Sequence, residues 1–300
     1  MKPHFELRRV RDFGENISDS FTFFKDHFKA LMKPLLVICG FFILINTIAY
    51  ANMQTAAIDN AVDTMNGQTT PDNVFSVQNR LTSQFLGMGI FYVCFTFFVL
   101  SIFLVTYSYV AIYNDKTDGE KPTLLEVWGY FKYYFFRALG GSIVITLLTI
   151  AGMFLCLIPG IYLSVVFSLF LPIMVMENGS FSHAFNKCFQ LIKSNWWITF
   201  GIIIVVSIML SIAGAIVSLP VSGLMLSKMF LKMDLPTFPI LLFFSLLVSI
   251  FYLAYSLMAI SISLCYFSYE EQKEGTGILN RINNLGEKGP DTAHQPEEEY

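Results

Sequence analysis

The chain has 300 residues, of which 55% are apolar and only 14% charged, against roughly 25% charged in a soluble globular domain. Its net charge of −3 at neutral pH says little by itself, because basic residues are unevenly divided along the chain, and it has no basic run of nucleic-acid-binding character. The apolar residues instead gather into long runs, and a hydrocarbon core about 30 Å thick takes roughly 17–25 helical residues to cross. The expected fold class is all-α: a polytopic membrane helix bundle of six transmembrane helices with cytoplasmic amphipathic interfacial helices, arranged as three repeated helix-plus-hairpin units.

Residues 1–34 form a polar N-terminal segment containing "FTFFKDHF", Phe21 to Phe28. At helical spacing Phe21, Phe24, Phe28 and Leu31 share one face while Lys25, Asp26 and Lys29 point elsewhere, which predicts an amphipathic helix lying in the membrane interface. The membrane domain, 35–267, opens with a span at 35–51 that carries Asn46. A polar stretch follows, with a turn at Thr70-Pro71-Asp72. The second span, 85–113, has Cys94, Ser101 and Ser108 at every seventh position.

"WGYFKYYF", Trp128 to Phe135, repeats the first motif ahead of the third span, 138–158. "LCLIPGI" then predicts a tight hairpin turn at Pro159 and Gly160 into a short fourth span, 161–176. A third copy, "FQLIKSNW", runs from Phe189 to Trp196 ahead of the fifth span, 197–218, after a helical face made by Phe181, Phe185, Cys188 and Ile192. The sixth span, 239–267, aligns Ser245, Ser249, Tyr252, Ser256, Ala259 and Ser263 on one stripe. In the tail, 268–300, Ile278, Ile282 and Leu285 predict a short amphipathic helix, and the acidic end is expected to be disordered.

Sixteen lysines and arginines fall on one side of this topology and three (Arg80, Lys228 and Lys232) on the other. The positive-inside bias therefore puts both termini in the cytoplasm. The expected membrane-interface anchors are Lys25, Lys132, Lys193, Trp128, Trp196 and Trp197: amphipathic rings favour headgroup depth, and lysines can reach anionic headgroups. The expected partners are thus the lipid bilayer and its anionic headgroups, together with other membrane proteins, and no nucleic acid.

Within the spans, Asn46, Ser101, Ser108, Ser249, Ser256 and Ser263 suit a helix-packing seam, or alternatively a polar lining for a small neutral substrate. None of the spans contains Asp, Glu, Lys, Arg or His, which argues against a proton relay or a charged translocation path. His4, His27, His183 and His294 lack metal-ligand spacing, so neither metal nor cofactor is expected. All five cysteines lie in spans or on the basic side, so no disulfide framework is expected.

The run "LIPGIYLSVVFSLFLPIMVMENGSFSHAFNKCFQLIKSNWW" resembles the membrane domain found in some bacterial glycerophosphoryl diester phosphodiesterases and in stand-alone inner-membrane proteins. The resemblance rests on Pro159-Gly160, on Pro172 followed by Glu177, and on Asn195-Trp196-Trp197. It implies a fold and the bacterial cytoplasmic (inner) membrane, and it places the hydrolytic reaction in a separate TIM barrel of about 250 residues, for which these loops leave no room. The expected role is accordingly non-enzymatic, a scaffold or accessory component in envelope or lipid handling. The alternative is a transporter or export component for a neutral or amphiphilic molecule. A lipid-modifying enzyme would need interface groups such as Glu177 or Glu270.

Overall fold

A computed structural model describes residues 5–65, 74–116, 120–231 and 237–275. The tail helix expected at 278–285 and the turn expected at 70–72 lie outside them. Among the described residues nine α-helices follow in chain order: α1 (Phe13–Met65), α2 (Val74–Asp115), α3 (Leu124–Leu155), α4 (Leu157–Ser168), α5 (Phe170–Met176), α6 (Phe181–Ile192), α7 (Trp196–Leu231), α8 (Thr237–Phe251) and α9 (Ser256–Glu274). A 3₁₀ turn, Tyr252–Tyr255, joins α8 to α9. Six helical stretches are long and apolar enough to cross a membrane, and among the described residues there is no strand. The all-α, multi-span class read from the sequence is therefore the class observed.

The first two interfacial motifs are not separate helices. Phe21–Phe28 sits inside α1 and Trp128–Phe135 inside α3, each continuous with the span that follows. α1 is nevertheless bent. It meets α7 twice, with Phe13 against Gly201 and Ile58 clustered with Val221. Those contacts are about 30 Å apart along α7 but about 68 Å apart along a straight α1. Pro34, the proline inside α1, lacks the N–H that would complete the ladder there, and a bend costs least at such a point. The arm Phe13–Lys33 therefore lies across the ends of other helices. Asn16 reaches Cys265 on α9, and His27 packs on Tyr109 and Tyr113 of α2.

That crossing changes which residues form the core. Phe23 and Leu31 are wholly buried, whereas Phe28 is 46% exposed. Leu31 of the expected apolar face is in the core, Phe21 and Phe24 pack against it, and Phe23 joins them because the arm crosses helix ends. Only the third motif yields a free-standing helix, α6. Thr123 starts α3 with a capping box that includes Glu126, which satisfies two otherwise orphaned N–H groups.

The chain reverses between α3 and α4 at Cys156, whose backbone is extended. Pro159 and Gly160 sit three and four residues later, in the first turn of α4. Proline is tolerated there because first-turn N–H groups have no partner inside the helix. Gly160 serves the hairpin differently: a Cβ there would lie 2.8 Å from the backbone N and Cα of Met153. Gly141 likewise leaves room for the Phe170 ring, while Gly140 faces open space.

Candidate functional site at the basic end

Where α5 ends, Asn178 takes a left-handed conformation (φ 48°) and Ser180 caps α6 by accepting from the His183 N–H. This turn aims Glu177 at α9. Lys187 Nζ lies 2.6 Å from Glu177 Oε1 and 3.4 Å from Glu270 Oε1. The Tyr266 hydroxyl is 2.7 Å from Glu177 Oε1 and 2.8 Å from Glu270 Oε1, so one proton is shared between two carboxylates. His183 Nε2 is 2.6 Å from Glu177 Oε2. Burial pushes the Glu177 carboxyl up, but hydrogen bonds from Lys187, His183 and Tyr266 outweigh it and hold the group below the usual carboxylate range. For Lys187 burial acts downward, and the Glu177 hydrogen bond and neighbouring carboxylates more than reverse it.

The chain's N-terminal segment closes the junction from the other side. Arg11 is buried, pairs with Asp19 at 2.8 Å and donates to the carbonyls of Leu7, Arg9 and Glu6. Its own N–H is bound by Ser268 on α9. Burial lowers the guanidinium's proton affinity and the Asp19 pairing opposes this. Arg8 stands 3.8 Å from Glu270 Oε2, an oxygen that is buried without a hydrogen bond.

Asn195 extends the junction to α7. Its side chain donates to Gln272 Oε1 at 3.0 Å, and one turn on Thr199 meets the Tyr269 hydroxyl at 2.9 Å. The two tryptophans that follow diverge. Trp196 stacks on Tyr162 and Phe200 and donates to the Tyr162 carbonyl, while Trp197 is 77% exposed. Trp128 is half-exposed with Lys132 Nζ 5.9 Å from its ring, and Lys25 and Lys193 are exposed. Two pairs form among the expected anchors, Trp128 with Lys132 and Trp196 edge-to-face with Trp197 at 4.7 Å, while Trp196 is held against Tyr162 and Phe200.

The weakly polar span residues are closed on themselves. Asn46 and Thr47 both donate to Ser249, at 3.2 and 3.1 Å. Ser101, Ser108 and Ser263 bond back to carbonyls one turn earlier in their own helices. Ser256 is fully buried, with an oxygen that finds no partner. Only Asn46 and Ser249 of the predicted set come together across two helices. Among the described residues no group of three His, Cys, Asp or Glu side chains could hold a metal ion.

Sequence reasoning raised Glu177 and Glu270 only as interface carboxylates and passed over Lys187, Tyr266 and Arg11 as site members. Lys187 carried a signal, being a basic residue beside the apolar face of α6. Tyr266 carried none, being one more aromatic in an apolar run.

Residues 142–289, which hold the whole α5–α6–α9 junction, match the family described as the membrane domain of glycerophosphoryl diester phosphodiesterase. No curated protein and no solved structure matches the chain.

Proposed function

We propose, from the premise that residues 142–289 match the membrane domain of this phosphodiesterase family, that the protein is a non-catalytic scaffold of the bacterial inner membrane. Both termini lie in the cytoplasm, and the protein assists other envelope components in handling lipid. The observation that carries this reading is the closure of the basic end. Glu177, Glu270, Lys187 and Tyr266 tie α5, α6 and α9 together, and Arg11 straps the N-terminal segment beneath them. Carboxylates engaged in this way are poor candidates for an acid or base, which needs access to substrate. The Asn46–Ser249 contact favours a packing seam over a substrate lining. Exposed lysines beside Trp128 and Trp197 suit anionic headgroups.

The transporter reading keeps one supporting observation, the 3₁₀ break at Tyr252–Tyr255 within the sixth span, since broken spans mark binding sites in some transporters. Native mass spectrometry of the protein released gently from its own membrane, paired with solute-flux assays in proteoliposomes, separates the two. The scaffold reading expects a stoichiometric protein partner and no flux. A solute flux abolished by Ser249→Ala in stably folded protein overturns it.

A further inference from the structure

The α3–α4 hairpin has the length and apolarity of two membrane spans, yet its contacts confine its reach. Trp196 Nε1 donates to the Tyr162 carbonyl at 3.3 Å, and the two rings stack with centroids 5.9 Å apart. Five residues of α4 separate Tyr162 from Leu157, the first residue after the reversal, a rise of about 8 Å. With the lengths of the indole side chain and the peptide carbonyl added, Leu157 lies no more than about 18 Å from the backbone of Trp196, whatever direction the hairpin takes. Lys193 and Asn195 fix Trp196 at the basic interface: Lys193 is exposed, and Asn195 is bound to Gln272 near the charged end of α9. A hydrocarbon core about 30 Å thick therefore leaves the far surface beyond the hairpin's reach.

The neighbouring packing agrees. α4 runs beside α6 through Phe167 on Phe185 and Phe189, and the start of α5 continues the contact with Phe170 on Phe181. α6 in turn crosses the end of α9, through Lys187 with Glu270 and Lys273 with the Gln190 carbonyl. The outgoing limb, α3, lies along α4, Gly152 facing Gly160 and Leu163. At the foot of the hairpin Arg137 donates to the Gly179 carbonyl. The tip is bare hydrocarbon: Phe154 is 88% exposed, Leu155 86% and Ile158 76%.

We infer that the α3–α4 hairpin does not cross the bilayer but enters and leaves by the basic face, its tip embedded among the acyl chains of that one leaflet. Acyl chains are the occupant the tip fits, because so dense an apolar surface at this depth is satisfied by hydrocarbon and by neither water nor headgroups. Four helical passes, formed by α1, α2, α7 and α8–α9, then carry the chain across. The inference is independent of the scaffold reading, which stands or falls on partners and flux.

Cys156 supplies the probe, since it sits at the reversal and is the exposed cysteine among those described. The wild-type chain is reconstituted in phosphatidylethanolamine–phosphatidylglycerol vesicles. Lys193→Cys and Ser222→Cys in a Cys156→Ser background mark the two aqueous faces. A membrane-impermeant maleimide is expected to label each marker from its own side and Cys156 from neither. A fluorophore placed on Cys156 with a permeant reagent is expected to lose most of its emission to nitroxide-bearing lipid in the Lys193 leaflet and little to the same lipid in the other. Labelling of Cys156 from the Ser222 side, which is what a spanning hairpin gives, overturns the inference. So does labelling from the Lys193 side, or protection without lipid quenching, which means that another polypeptide covers the tip.

Discussion

Lys187 and Glu270, 83 residues apart in sequence, meet at 3.4 Å, and the same ammonium group serves Glu177 at 2.6 Å. One cation thus stands between two carboxylates that would otherwise repel each other across a single tyrosine hydroxyl. Lys187→Met is expected to lower stability by about 2 kcal/mol, below the 3–5 kcal/mol range of fully buried pairs because the group keeps some contact with water. Thermal unfolding in detergent measures it. A double variant, Lys187→Met with Glu177→Gln, should recover a large part of the loss, and a loss equal to that of the single variant would show that charge is not the cause.

Protonation acts on the same junction with a definite sign. The Glu177 carboxyl is held below its ordinary range, so its contribution is complete above that range and disappears as the pH falls through the lower folded value. Lys187 is raised, so its share is complete below the ordinary lysine range and is lost as the pH rises through the higher folded value. The melting temperature should be level between these limits and fall on both sides. Glu177→Gln should flatten the acid limb relative to the parent, and an unchanged acid limb would assign it to other carboxylates.

Inside the bilayer the order of two substitutions is diagnostic. Ser249→Ala strands the Asn46 amide and the Thr47 hydroxyl, both of which donate to Ser249, at a cost of about 1–2 kcal/mol. Asn46→Leu removes a donor together with a carbonyl oxygen that has no partner, and single hydrogen bonds in membranes average about 0.6 kcal/mol. It should therefore cost less. Steric trapping or denaturant unfolding in micelles ranks them, and the reverse order would mean that Asn46 packs as well as bonds.

Two glycines separate close approach from mere occurrence. Gly160→Ala places a methyl group 2.8 Å from the Met153 backbone, which cannot yield without parting α3 from α4. Gly140→Ala meets nothing within 4 Å and should be neutral or gain up to about 1 kcal/mol from helix propensity. Thermal unfolding in detergent should shift downward for the first variant and stay at or above the parental midpoint for the second.

The sequence made the membrane class plain because hydrocarbon thickness imposes a length on any helix that meets it, and long apolar runs record that length. It was less informative about direction. An apolar run reads alike whether it points across the bilayer or along one leaflet, so α3 and α4 registered as spans like the others. The aromatic–lysine motif predicts where helices enter their spans, but continuity or a break there depends on local turns such as Lys193–Asn195 and on Pro34. The α5–α6–α9 junction stayed hidden for another reason. Its members come from Glu177, Lys187, Tyr266 and Glu270: the Tyr266–Glu270 contact is a local one-turn pair on α9, but no local pattern announces that Glu177, 89 residues away, will accept from the same hydroxyl.

A hairpin tethered at Tyr162 to Trp196 adds the cross-section of two helices to one monolayer and nothing to the other. The molecule is then broader at its basic end than at its far end, a wedge and not a cylinder. A wedge crowds one sheet of lipids and slackens its partner, so the protein is energetically at ease where the membrane curves away from the crowded side. The shape of the bilayer itself becomes something this fold can respond to.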